Sequence, residues 1–184
     1  MAFSSLGVFC GSAVGKDPVY ARDGEKLGRL LAERSIRLVY GAGGDGLMGV
    51  IAAACLNAGG NVLGLVDTEL AWMETAPCPV TEKRVFHTLN DRKKAMFDES
   101  DAFCVFAGGL GTLDELVSAV VAKQIGQFDK PVVLYDRGGF WRPFETLIDA
   151  LVDKGFVKAK DKGLFSFAGT VDEVFQVIER KTGR

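Results

Sequence analysis

The sequence predicts an α/β fold, a doubly wound parallel sheet forming a single domain over residues 1–184. Three observations predict it. Short apolar runs alternate with longer amphipathic stretches along the whole chain, the rhythm of β–α–β units. The runs are apolar at consecutive positions, which suits strands covered on both faces rather than the in-and-out alternation of a half-exposed antiparallel sheet. With 48% apolar and 25% charged residues, a chain of 184 can bury one core and leave a cleft beside it.

The first strand is "LGVFC", which runs into Gly11 and Ser12. Asp17 and Pro18 then supply an N-cap and a first-turn proline, and Leu27, Leu30 and Leu31 an apolar stripe, so a helix is predicted to run to about Glu33. "IRLVY" is the second strand, with a helix from about Gly46, and "NVLGLV" is the third. A helix from about Asp91 leads to the strand "AFCVF", and a helix from about Thr112 to the strand "PVVLY". Beyond a helix from about Phe140, "LFSFAG" reads as a sixth strand, and a last helix starts near Val171.

Charge and composition exclude several functions. The formal charge is −2, and basic clusters such as "DRKK" and "KAKDK" are interrupted by acids, so no positive stripe awaits a nucleic acid or an anionic membrane. "MAFSSLGVFCGSA" lacks the basic start of a secretion signal, and no apolar run approaches the roughly 20 residues that span a bilayer. A cytoplasmic protein is expected. Cys10, Cys55, Cys78 and Cys104 form no C-x-x-C pair, which argues against zinc or a disulfide framework and for buried, reduced thiols.

In a parallel sheet ligands bind outside the carboxyl ends of the strands. Gly41 to Gly46, "GAGGDG", matches G-x-G-x-x-G between a strand and a helix, with Asp67 about 20 residues further on, as in a dinucleotide fingerprint with its ribose acid. That fingerprint normally follows the first strand, however, and "LGVFCGS" precedes it here. It also leaves a second glycine loop, "AGGLGTLDEL" at 107–116, unexplained. Gly108, Gly109 and Gly111 would let a phosphate approach a helix N-terminus. Asp114 and Glu115 would repel it. Thr112 and Glu115 fit a T-x-x-E capping box, but a capping box does not require bare backbone upstream, and bare backbone implies a close neighbour.

The single histidine, His87, precludes a confident His-dependent triad. Arg92 and Lys93 open a predicted helix, where the macrodipole disfavours cations; either an anionic partner compensates, or Asp91 does. A phosphate cradle, an acid and an arginine together suit a nucleoside 5′-monophosphate cleaved at its N-glycosidic bond, the carboxylate stabilising the positive charge that develops as the base departs. Two alternatives stand beside this reading. One is a non-catalytic nucleotide-binding module in which Glu115 only caps its helix. The other is a dinucleotide-dependent oxidoreductase using Gly41 to Gly46 and Asp67.

Taken in order, "VFCGS", "LVYGAGGDGLMG", "DRKKAM" and "GGLGTLDEL" resemble the LONELY GUY (LOG) family of cytokinin riboside 5′-monophosphate phosphoribohydrolases, which often carries a lysine decarboxylase label. The likeness covers nearly the whole chain. It implies a Rossmann-like fold, commonly a homodimer, that hydrolyses N6-modified AMP derivatives, and often AMP, to free base and ribose 5-phosphate without a redox cofactor or a metal. By this resemblance Arg92 and Glu115 are catalytic, and Lys93, beside the former, is a substrate-binding residue. Gly108, Gly109, Gly111 and Thr112 bind phosphate, Gly43, Gly44, Gly46 and Met48 line the nucleotide cleft, and Ser12 of the first motif joins the substrate-binding residues. Ala107 replaces the family motif's leading proline, and Val66-Asp67 stands where the family usually has Ile-Pro. The decarboxylase label lacks a recognisable lysine and pyridinium-partner arrangement for pyridoxal phosphate. Leu116, Val120 and Val121 form the face expected to bury a dimer contact.

Overall fold

The computed structural model describes residues 3–69 and 78–183. Its strands are β1 (Ser5–Phe9), β2 (Arg37–Tyr40), β3 (Val62–Asp67), β4 (Glu82–Phe86), β5 (Ala102–Val105), β6 (Val132–Tyr135) and β7 (Ser166–Ala168). They form one seven-stranded sheet in the order β4-β3-β2-β1-β5-β6-β7, and each neighbouring pair is parallel. The helices described are α1 (Val19–Glu33), α2 (Gly46–Asn57), α3 (Leu89–Glu99), α4 (Leu110–Gln124), α5 (Arg142–Asp153) and α6 (Val171–Thr182).

Consecutive residues of the central strands feed two separate cores. On β5, Ala102 and Cys104 face a cluster with Leu27 and Leu31 of α1, Ile51 and Cys55 of α2, and Val174, Phe175 and Ile178 of α6. Phe103 and Val105 face the opposite cluster, with Met96 of α3, Leu116 and Ala119 of α4, and Phe144 of α5. This is why the strand runs are apolar throughout. Each needs a hydrophobic residue at every position because helices cover both faces. The doubly wound sheet is as predicted.

Several boundaries are close to the predicted ones. The Asp17 carboxylate accepts the Val19 N–H at 2.9 Å, and α1 ends at Glu33. Helices α2 and α6 begin at Gly46 and Val171, and the weakly marked strand at "SFA" pairs with β6. Helix α5 starts at Arg142, two residues after Phe140, with its proline in the first turn. Strand β4 is absent from the apolar runs, because it is an edge strand with mostly exposed side chains. Glu82 and Arg84 face solvent and pair with Arg37 and Glu99, and such charges suit an edge that must not recruit another strand. No helix among the described residues is long and apolar enough to cross a membrane. The four cysteines are free thiols, three of them buried.

Candidate active site at the switch point of the sheet

Strands β1 and β5 are neighbours, but the chain leaves β1 toward β2 and leaves β5 toward β6. Their following loops therefore diverge and open a crevice. The Gly11 amide donates to the Ala107 carbonyl at 3.0 Å, and the Leu47 amide to the Gly11 carbonyl at 3.1 Å. The segments "VFCGS", "LVYGAGGDGLMG" and "AGGLGTLDEL" are thus tied together.

Gly46 and Gly108 each have a close neighbour within the protein itself. At Gly46 the backbone φ is +61°, and a methyl group there would stand 2.2 Å from the Ser12 carbonyl carbon. At Gly108 it would stand 2.0 Å from the Thr112 hydroxyl oxygen and 2.9 Å from the Gly11 nitrogen. Gly109 and Gly111 are different, since nothing lies within 4 Å of a methyl group placed on either. Gly46→Ala is expected to cost more than the roughly 1–2 kcal/mol of left-handed strain alone, because the strain is joined by a backbone clash. Gly59→Ala is the comparison, with φ of +80° and no neighbour within 4 Å. Urea unfolding of both variants checks it; equal losses would show that the Gly46–Ser12 contact yields freely.

Helix α4 begins at Leu110 with Gly109 as its N-cap, and no side chain caps it. The capping box expected from Thr112 and Glu115 does not form. The glycines allow the helix to start two residues early, so Thr112 lies inside the first turn, buried beside Gly108, and Glu115 lies nearly a turn further in. The first intrahelical bond runs from the Leu113 amide to the Gly109 carbonyl at 3.0 Å, which leaves the Leu110, Gly111 and Thr112 amides without intrahelical acceptors at the positive end of the helix. Helix α3 likewise starts two residues before Asp91, capped by Thr88, whose hydroxyl accepts the Asp91 amide at 3.1 Å. Arg92 therefore sits one turn in and points inward.

Arg92 is 5% exposed, and each guanidinium nitrogen has a different neighbour, two by hydrogen bond and one by charge alone. Nη2 donates to Glu115 Oε1 at 2.7 Å, Nε donates to the Leu65 carbonyl at 3.0 Å, and Nη1 lies 3.8 Å from Asp67 Oδ2. Gly41 makes room for it, since a methyl group there would stand 2.6 Å from Nη2. Burial pushes the Glu115 carboxyl up to about 7, while the Arg92 guanidinium pulls the other way. Desolvation prevails because the carboxylate is nearly enclosed and, among the described residues, accepts one close charged hydrogen bond.

A cleft of about 350 Å³ opens over this pair, lined by Ser12, Met48, Arg92, Gly109, Gly111, Thr112 and Glu115 among the anticipated residues. Cys10, Leu89, Leu110 and Asp114 also line it. Leu89 and Leu110 are exposed apolar residues at helix starts, a signal overlooked in the sequence. Burial, with help from Glu115, raises the Cys10 thiol well above its usual range, so it is a neutral wall and not a thiolate nucleophile. Gly108 lines an adjoining apolar hollow with Tyr20 and Phe140.

Other anticipated residues lie elsewhere. The Lys93 ammonium turns outward to Asp114 Oδ2 at 3.0 Å and Ser118 Oγ at 3.2 Å, clamping α3 to α4, and it does not line the cleft. Nor do Gly43, Gly44 and Gly46, which shape the loop behind it; the Gly44 carbonyl abuts Gly49. Asp67 does not face the cleft as a ribose acid should, because its carboxylate is buried beside Arg92. His87 is exposed and away from the cleft.

A family model described as "Possible lysine decarboxylase" matches residues 48–178. The cytokinin riboside 5′-monophosphate phosphoribohydrolase LOG of Oryza sativa subsp. japonica is 37% identical over 177 residues, covering 96% of this chain and 73% of that protein. LOG5 of Arabidopsis thaliana, of the same description, is also 37% identical over 177 residues, covering 96% and 78%. The chain belongs to the LOG family. Its fold is shared more widely. The Moco carrier protein of Chlamydomonas reinhardtii is 21% identical with a TM-score of 0.73, each chain 98% covered. The molybdenum cofactor binding protein of Rippkaea orientalis is 22% identical with a TM-score of 0.69, each chain 96% covered. Despite the LOG family model's description, no lysine is among the described residues lining the cleft, where a Schiff-base decarboxylase would need one.

Proposed function

We propose that this chain hydrolyses the N-glycosidic bond of adenosine 5′-monophosphates, including N6-modified cytokinin nucleotides, to free base and ribose 5-phosphate. The observation that carries the proposal is the buried Arg92–Glu115 pair opening into the same cleft as the uncapped N-terminus of α4. Membership of a family whose named relatives are phosphoribohydrolases supports it.

In this reading the 5′-phosphate sits on the amides of Gly111 and Thr112, where Gly109 and Gly111 leave open space. The ribose then lies toward Glu115. The bond from C1′ to the base breaks with its electron pair leaving on the base nitrogen, and positive charge grows over C1′ and the ring oxygen. The Glu115 carboxylate stabilises that charge. It also takes a proton from the water whose oxygen bonds to C1′, while solvent returns a proton to the base. A carboxyl raised to about 7 is suited to that exchange at neutral pH. Arg92 holds Glu115 in place, and Lys93 clamps α3 to α4.

Incubation with AMP and isopentenyladenosine monophosphate, followed by chromatography, is expected to give adenine or isopentenyladenine with equimolar ribose 5-phosphate. Release of neither base would leave a nucleotide-binding module. The same reading places the enzyme in the cytoplasm, where charge confines nucleoside monophosphates; recovery in a membrane or secreted fraction would contradict it.

A symmetric homodimer completes the proposal. Leu116 belongs to the core and cannot contribute to a dimer face, and Val120 is half-buried. The exposed stripe on α4 is Leu110, Val117 and Val121, continued by Ile125 at its end. Light scattering at micromolar concentration should give twice the chain mass, and Val121→Glu should halve it. A parent protein of single-chain mass would remove the idea.

A further inference from the structure

The charge network behind Glu115 has a third member that the proposed reaction does not use. Asp67 ends β3, is 3% exposed, and lies with Oδ2 3.8 Å from Arg92 Nη1. Glu115 binds Nη2 of the same guanidinium at 2.7 Å, and the Leu65 carbonyl holds Nε at 3.0 Å. One buried cation is therefore divided between two buried carboxylates.

We propose that Asp67 is a positioning residue for the reaction: it engages the Arg92 guanidinium through a nitrogen other than the one that binds Glu115, and so limits how far Arg92 stabilises the ionised Glu115 carboxylate. The inference rests on the reading of Glu115 as the reacting acid. Other groups also act on Glu115 through their charge or proximity: Arg92 and Lys93 from α3, Asp114 from its own helix and the Cys10 thiol from the end of β1. Of these only Arg92 lies within 4 Å of both carboxylates. Asp67 acts in two ways of the same sign. It draws part of the positive field of Arg92 away from Glu115, and its own charge repels a second anion nearby. Both keep the affinity of Glu115 for a proton near that needed by a base working at neutral pH.

Asp67→Asn keeps the shape and removes the charge. The proton equilibrium of Glu115 is read by NMR of protein labelled with carboxyl-carbon-13 glutamate, its resonance assigned by its loss in Glu115→Gln. The midpoint is expected to move down by about one pH unit, the usual scale for removing a nearby like charge. The acid limb of kcat/KM for isopentenyladenosine monophosphate should move by the same amount. If Asp67 served only as packing, the thermal midpoint would fall with the titration unmoved, and that result overturns the proposal. If neither protein releases base but the NMR midpoint still falls, the coupling stands and only the reaction assigned to Glu115 fails. Asp67→Ser is read in the same way if the asparagine variant does not fold.

Discussion

Glu115→Gln is expected to lower turnover by at least about a hundredfold, the scale for deleting a preorganised charged group at a reacting centre. The fold should persist. Glutamine keeps the length of the side chain, and its carbonyl oxygen can accept the Arg92 Nη2 hydrogen that Oε1 accepts at 2.7 Å. It cannot take a proton from water or oppose a developing cation. Stability should respond in a particular direction. The folded protein holds the Glu115 proton up to about pH 7, whereas an unfolded glutamate releases it near 4.3. The stability contributed by that residue is thus complete at pH 4 and is lost as pH rises toward 7. Glu115→Gln lacks this loss, so its stability relative to the parent should improve between pH 4 and 7. Parallel urea titrations at several pH values, with base release measured on the same samples, decide the matter. Cleavage at the parental rate would reduce Glu115 to a structural partner of Arg92.

Arg92→Met is expected to abolish activity and to cost about 3–5 kcal/mol, the range for removing one partner of a buried ion pair. The loss comes less from the missing bonds than from what remains. Asp67 and Glu115 would lie 3% and 9% exposed without the cation between them, and the Leu65 carbonyl would lose its donor. Part of the loss should be recovered at acid pH, where protonation removes the stranded charge. Arg92→Lys keeps a charge but offers one nitrogen where two hydrogen-bond acceptors and a third, charged neighbour need a fork, so it should recover stability only in part and activity less. Chemical denaturation at pH 5 and pH 8 measures both effects. An Arg92→Met protein as stable as the parent at pH 8 would mean that the two acids are neutral or solvated.

The predicted capping box had the right residues and the wrong bond. Thr112 and Glu115 have the correct spacing, but a cap depends on where the helix starts, and Gly109 and Gly111 move the start upstream. Lys93 lies off the cleft lining for a related reason. On a helix, adjacent residues point about 100° apart, so the turn that buries Arg92 sends Lys93 outward to Asp114.

What the sequence by itself determined was whatever is encoded within one element. Apolar runs at consecutive positions marked five central strands and both covered faces, since burial on two sides removes every polar position. Glycine loops after strands marked the crevice, and the acid in the second loop and the arginine of "DRKKAM" stood out because few other residues could perform chemistry there. Only the tertiary structure decided what meets across elements. Strand β4 is held at the edge by pairing with β3 and by charges that resemble a loop in sequence. Asp67, spaced like a ribose acid, is instead buried against Arg92. Gly46 is bare for Ser12 and Gly108 for Thr112, while Gly109 and Gly111 are open to the cleft. The physical reason is that periodicity records whether a side chain is covered, whereas the strand order decides what covers it.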